Sequence, residues 1–247
     1  MNLKEFFAEN KRAALGFSGG VDSAYLLYAS KKYGAYVQPY YIKTQFQPEF
    51  ELNDALKLCS YLDIKLKVIE LDILSDNIIS SNPKDRCYYC KKRLFSALKQ
   101  NAHADGIELI IDGTNASDSI EDRPGMKAIN ELCVRSPLRE CGLTKKQIRK
   151  LSKEAGLFTW DKPSYACLAT RIPVDVAITK DSLKKVERAE EKLSLMGFRD
   201  FRVRIYDKAA RIQVKESQIS KLIENREKIL SELKPYFDIV MVDMETR

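Results

Sequence analysis

The chain has 247 residues, 45% hydrophobic and 31% charged, enough to bury a full core and without an apolar run of membrane-spanning length. Its 42 basic and 35 acidic residues leave a charge of +7, which suits an anionic ligand without choosing among a nucleotide, a phosphorylated metabolite or RNA. Six cysteines are too sparse for a disulfide scaffold, and "MNLKEFFAENKRAA" lacks the apolar core of a signal peptide, so a cytoplasmic protein is expected.

In chain order, "RAALGF" predicts a short buried strand and "SGGVDSAYLLYASKKYG" a tight turn feeding a helix that closes at Gly34. "AYVQPYYIK" reads as a second strand, "PEFELNDALKLCSYLD" as an amphipathic helix and "KLKVIELD" as a third strand. "RCYYCKKRLFSALKQNA" reads as a helix with a basic face, and "IELIIDGT" as a fourth strand. Alternating strands and helices predict an α/β fold, a parallel sheet with helices on both faces. Ligands of such sheets gather at the carboxyl ends of the strands, where Ser18, Asp112 and Gly113 fall. The texture changes after Arg171. "ITKDSLKKVERAEEKLSLMG" predicts a charged helix and "FRVRIYDKAARIQV" a hairpin through Asp207 and Lys208. "SQISKLIENREKILSELKPY" predicts one helix, and "DIVMVDM" a last strand. The expected division is therefore a domain at 1–171 and a small αββαβ domain at 172–247.

"GFSGGVDSAYLL" is the most informative segment. Two glycines let backbone approach a ligand, Ser18 and Ser23 offer hydroxyls, and the helix beginning at Val21 aims its amides and positive dipole end at an anion. Asp22 beside a phosphate site requires a cation, which makes it a candidate Mg²⁺ contact; the bland alternative is a helix cap. The string is not a Walker A loop, since Gly-Lys-Ser/Thr is missing. It resembles the pyrophosphate loop of the N-type ATP pyrophosphatases (the PP-loop superfamily, with its adenine nucleotide alpha hydrolase-like fold). That resemblance implies ATP bound by Ser18, Gly19, Gly20, Val21, Asp22, Ser23 and Gly113, cleavage between the α and β phosphates, and adenylation of a substrate oxygen.

Cys87 and Cys90 have a spacing that zinc sites and redox pairs share, and Cys167 is a lone thiol in "DKPSYACLATRIP". His103, the one histidine, reads as a surface residue, so a four-ligand zinc site lacks partners. Three thiolates with one open iron position would instead suit an iron–sulfur cluster. Cys59 reads as core; Cys133 and Cys141 could pair with each other or replace one of these three ligands, but neither has a recognisable spacing, and they are read as structural.

Across most of its length the chain resembles the LarE-type ATP-dependent sulfur transferases. The motifs are "FSGGVDS", "YYCKKRLFSAL", "DGTNASDSIEDRPGMKA", "SYACLATRIP" and "AEEKLSLMGFRDFRVRIYDKAARI". In one branch of that family a single cysteine, matching Cys167, gives up its own sulfur. In the other, which carries the CxxC, three cysteines hold a [4Fe–4S] cluster. The resemblance therefore implies Cys87, Cys90 and Cys167 as cluster ligands, and Cys167, Asp22 and Glu190 as catalytic candidates. It also implies a carboxylated pyridinium nucleotide as substrate and a homo-oligomer. Arg123 in "DRPG", with Arg202 and Arg204 alternating on one strand, becomes a candidate clamp for substrate phosphate or carboxylate. Set against this, Asp112, Asn115 and Asp122 could simply cap turns, and a glutamate in so charged a helix as Glu190's is usually solvated. The alternatives are a tRNA-thiolating enzyme, disfavoured by the lack of an added RNA-binding module, an ammonia-dependent amidating synthetase, and a nucleotide-sensing domain without catalysis.

Overall fold

A computed structural model describes residues 1–118 and 124–247 and divides the chain into two compact units. The first comprises 1–72 and 85–162, the second 73–84 and 163–247. In chain order the elements begin with α1 (Leu3–Glu9), β1 (Arg12–Gly16), α2 (Val21–Lys32), β2 (Tyr36–Lys43), α3 (Glu49–Tyr61) and β3 (Lys67–Glu70). A short helix of the second unit, α4 (Asn77–Ser80), intervenes. There follow α5 (Arg86–Ala104), β4 (Ile110–Ile111), α6 (Pro124–Glu131), α7 (Pro137–Glu140) and α8 (Lys145–Glu154).

The first unit is built on a parallel sheet in the order β3-β2-β1-β4. Successive side chains of a strand point to opposite faces, and here both faces are covered. Ala13, Leu15, Val37 and Tyr41 pack with Leu26 and Leu58, from α2 and α3. Ala14 and Tyr40 pack instead with Leu98 and Ala102 of α5 and Ile129 of α6. This is the predicted α/β architecture. Because β1 lies between β2 and β4, the chain reverses its direction of winding there, and the crevice at the carboxyl ends of β1 and β4 is the topological switch point. The expected strand at 107–114 shortens to Ile110–Ile111, and at its carboxyl end Asp112 turns back to accept from the Thr114 amide (3.1 Å).

The second unit contains α9 (Lys180–Leu195), β5 (Arg202–Tyr206), β6 (Ala209–Gln213), α10 (Ile219–Glu224), α11 (Arg226–Leu233) and β7 (Ile239–Val242). β5 and β6 form the expected hairpin, with Asp207 at φ 53°, and β7 adds parallel to β6. Leu193, Phe198, Val203, Ile212 and Phe237 form its core.

The division of the chain differs from the expected boundary after Arg171. Residues 163–171 belong to the second unit, where Arg202 and Arg204 donate to the Ser164 and Thr170 carbonyls (2.8 and 2.9 Å). Residues 73–84 join it as well: the Ile178 amide donates to the Ser80 carbonyl (2.7 Å) and the Asn82 side chain to the Pro173 carbonyl (2.7 Å). Among the described residues no helix is long and apolar enough to cross a membrane.

Candidate active site

Ser18 to Ser23 leave β1 at the switch point and start α2. Gly19 adopts φ +69°, and a Cβ there would lie 3.2 Å from the Ala55 amide nitrogen, so conformation and space both demand glycine. The N-cap is Gly20, which has no side chain to occupy the first amides of α2. The Ser18 and Ser23 hydroxyls lie 3.2 Å apart, and Ser23 donates to the Gly20 carbonyl (3.2 Å), shaping the loop from within. Two residues past β4, Gly113 comes so close that a Cβ would sit 3.0 Å from the Ser23 amide nitrogen. The predicted loop residues and Gly113 are thus neighbours at an uncapped helix N-terminus, a ready anion site.

Asp22 projects from the first turn of α2. Burial pushes its carboxyl up, against the pull of Lys145, whose Nζ lies 2.5 Å from Oδ2. Asn115 Nδ2 lies 3.5 Å from the other oxygen. A carboxylate so placed is balanced by a cation, which is the property a Mg²⁺ contact needs. Lys162 lies 2.6 Å from Asp54 and 3.5 Å from the Gly19 carbonyl of the loop. Sequence reading missed both lysines. Lys145 opens α8 behind a Thr144–Gln147 capping box, a signal legible in "LTKKQ", but nothing local says that its ammonium meets Asp22, 123 residues earlier in the chain.

Asp112 and Asn115 do serve the turn. Asp112 is buried and accepts from Thr114 and from the Ser136 hydroxyl (2.7 Å), while Asn115 Oδ1 accepts from the Ser117 amide (2.8 Å). Asp122 and Arg123 lie outside the described residues.

Cys87 and Cys90 lie in the opening turns of α5, three residues apart and so on one face. Cys87 is exposed and Cys90 half-buried, and the Arg86 guanidinium lies 3.7 Å from the Cys87 sulfur. Positive charge thus lies beside Cys87 in the first turn of α5, and with Cys90 on the same face the two soft donors fit thiolate ligation of an iron–sulfur group. Cys167, half-buried, precedes a short 3₁₀ turn of the second unit. Among the described residues no three His, Cys, Asp or Glu are gathered as a metal site. His103 is exposed, as expected, and burial pushes the core Cys59 thiol up to about 12. Cys133, expected to be structural, is exposed at φ 55°.

In the second unit, four arginines hold the segment that carries Cys167. Arg202 donates to the Ser164 carbonyl (2.8 Å), Arg171 to that of Ala166 (3.0 Å) and Arg204 to that of Thr170 (2.9 Å); Arg247 approaches Ser164 (3.4 Å). Arg171 and Arg202 also stack on the Tyr165 ring, 4.7 and 5.2 Å from its centroid. Burial and neighbouring guanidiniums lower Arg202 to about 10 and shift Arg204 in the same direction. Both face one side of β5, as their alternation predicted, yet Arg202 is buried and spends its terminal nitrogens on the Phe201 and Ser164 carbonyls. Glu190 is likewise not solvated: it is buried, receives two bonds from Arg171 (2.8 and 3.2 Å) and one from the Val203 amide (2.9 Å), and accepts from the Tyr165 hydroxyl.

No family model matches the chain. An uncharacterized protein of Methanocaldococcus jannaschii, MJ0830, is 34% identical over 99% of this chain and 93% of its own length. Another uncharacterized protein, slr1717 of Synechocystis sp., is 36% identical over 91% of this chain and 84% of its own length. The pyridinium-3,5-bisthiocarboxylic acid mononucleotide synthase of Lactiplantibacillus plantarum is 31% identical over 95% of this chain and 86% of its own length. The chain belongs to the LarE family. More distant matches to LarE-type sequence here are a tRNA-specific 2-thiouridylase of Hahella chejuensis (27%, 62% of this chain) and a glutamine-hydrolyzing GMP synthase of Aeropyrum pernix (28%, 72%). They place this LarE-family chain in the PP-loop superfamily, whose α/β fold the first unit has.

Proposed function

We propose that this LarE-family protein is an ATP-dependent sulfur transferase that converts a carboxylate of a pyridinium-3,5-biscarboxylic acid mononucleotide-like substrate to a thiocarboxylate. The reaction would belong to nickel-pincer cofactor biosynthesis. The observation that carries the reading is the 31% identity, spread over 95% of the chain, to a synthase named for the bisthiocarboxylic acid product. The pyrophosphate loop at the switch point supports it.

In this reading the loop from Ser18 to Ser23 and Gly113 binds the β and γ phosphates of ATP through backbone amides, and Asp22 contacts the accompanying Mg²⁺. Mg²⁺ supplies charge neutralisation on the polyphosphate. A substrate carboxylate oxygen attacks the α-phosphorus, the bond to the β-phosphate oxygen breaks, and pyrophosphate leaves. Sulfide then attacks the acyl carbon, the carbon–oxygen bond to AMP breaks, and AMP leaves with the electron pair. Cys87, Cys90 and Cys167 would hold a [4Fe–4S] cluster, which supplies sulfide bound to iron and deprotonated at neutral pH. Arg204 and Arg123 are the proposed anchors of substrate phosphate or carboxylate. Arg202 is better read as holding the Cys167 segment, because it is buried and both terminal nitrogens serve carbonyls; Arg204 is only half-buried, and beyond its bond to the Thr170 carbonyl its other nitrogen has a long 3.5 Å contact with Gln213. For Glu190 the committed carboxylate favours the same supporting role over proton handling. The second unit is also the proposed oligomerisation surface, and the cytoplasm the proposed compartment.

The test is anaerobic purification with iron and acid-labile sulfide counted per chain, in wild type and Cys87→Ala. About four of each in the wild type, lost in the variant, is the expected result. A chain that takes up no iron even on reconstitution overturns the cluster assignment and makes Cys167 the suspected sulfur donor, to be checked by mass spectrometry for lost sulfur after turnover.

A further inference from the structure

The ion pair between Lys145 and Asp22 carries a consequence for how ATP enters. Asp22 is half-buried at the first turn of α2, and Lys145 reaches it from the first turn of α8. Side chains of both remain partly accessible, 20% for Asp22 and 31% for Lys145, so a ligand in the loop can reach the pair. The lysine backbone is fixed: its amide donates to the Ser117 hydroxyl (3.0 Å), and the Ala116 amide donates to the Leu143 carbonyl (2.9 Å), tying α8 to the loop that follows β4. The ammonium is therefore the movable part, on a flexible four-carbon stem.

We infer that Lys145 is a stand-in cation at Asp22, exchanged for the nucleotide's divalent ion and passed to the nucleotide's phosphates as ATP binds. This rests on the ATP-binding reading given above. A half-buried carboxylate is costly to keep ionised without a partner, and the Lys145 ammonium meets that need before ATP binds. When Mg²⁺ arrives with ATP, Asp22 would exchange one cation for another, and the released ammonium would be free to pair with the polyphosphate. No net charge is stranded at any stage. The arrangement couples metal and nucleotide entry: free Mg²⁺ competes with Lys145 for Asp22, whereas Mg²⁺ arriving with ATP offers Lys145 a new anion. Lys162, near the Gly19 carbonyl of the same loop, is instead paired with Asp54.

The exchange has a signature that a merely structural lysine would not produce. In Lys145→Ala and Lys145→Met, the second keeping most of the apolar stem, affinity for free Mn²⁺ measured by electron paramagnetic resonance should rise severalfold, because the competitor is gone. Affinity for ATP in the presence of the metal, measured by calorimetry, should fall about tenfold or more, the loss of one charge-assisted contact. Lys145→Arg should restore part of the ATP affinity. Thermal midpoints and circular dichroism check that each variant folds. If metal and nucleotide affinity fall together, or if ATP affinity is unchanged, the exchange is wrong although the ATP-binding reading stands. If the wild-type chain itself fails to bind ATP, that reading falls and takes this one with it.

Discussion

Arg171 and Glu190 form a buried ion pair, and each matters chiefly for what it leaves behind when the other is removed. Glu190→Gln strands a guanidinium in the interior at an expected cost of about 3–5 kcal/mol, read as a lower urea midpoint. Replacing both, Arg171→Met with Glu190→Leu, should recover much of that loss. A proton-handling glutamate would behave differently, losing turnover in Glu190→Gln while stability stayed put. At Gly19 the logic is conformational. Gly19→Ala must hold an L residue at φ +69° against Ala55, a strain of about 1–2 kcal/mol before the contact is counted. ATP affinity measured by calorimetry should drop steeply while the chain still folds. The loop glycines were legible in "SGGVDS" because their chemistry is local to six residues. Lys145, the burial of Glu190 and the carbonyl partners of Arg202 were not, since each depends on a neighbour distant in the chain.

At the scale of elements, the parallel sheet and its order of helices follow from alternating patterns that are local and strong. Departures occur where tertiary contacts or side-chain hydrogen bonds decide. The helix expected at 217–236 breaks into α10 and α11 at Asn225, whose side chain takes the Lys221 carbonyl (2.8 Å) and so competes with the helix ladder. Residues 73–84 carry no compositional mark of belonging to the second unit, because hydrogen bonds to 172–178 hold them there. Within the first unit, Asp105 at the C-cap of α5 joins three strands. It accepts from Lys67 of β3 (2.5 Å) and from the Tyr40 hydroxyl of β2, and its carbonyl accepts from Arg12 of β1 (2.9 Å). The bonds from Lys67 and Tyr40 hold its carboxyl below the ordinary range. Its stabilising contribution is therefore present above that ordinary value, roughly pH 4, and is lost as pH falls through the lower folded value. Asp105→Asn should melt lower than wild type at neutral pH, and the gap should close in acid. A gap that persists unchanged at pH 3 would contradict this assignment.

Over the whole molecule, the charge of +7 does not make an RNA-binding surface by itself. Much of the basic charge is locally matched, as in Lys145 with Asp22, Lys162 with Asp54, Lys192 with Glu232 and Lys215 with Asp200. Bulk tRNA should accordingly show no salt-dependent binding; clear binding that weakens with salt would revive tRNA thiolation, the activity named in the 27% relative. The loop from Ser18 to Ser23 and the CxxC pair belong to the first unit, and Cys167, Arg202 and Arg204 to the second. The central claim is sulfur transfer driven by adenylation. The most direct measurement incubates the protein anaerobically with ATP, Mg²⁺, isotope-labelled sulfide and pyridinium-3,5-biscarboxylic acid mononucleotide, then quantifies nucleotides and product by mass spectrometry. The account expects AMP, pyrophosphate and labelled thiocarboxylate in equal amounts. ADP with phosphate, or AMP and pyrophosphate without sulfur in the product, would contradict it.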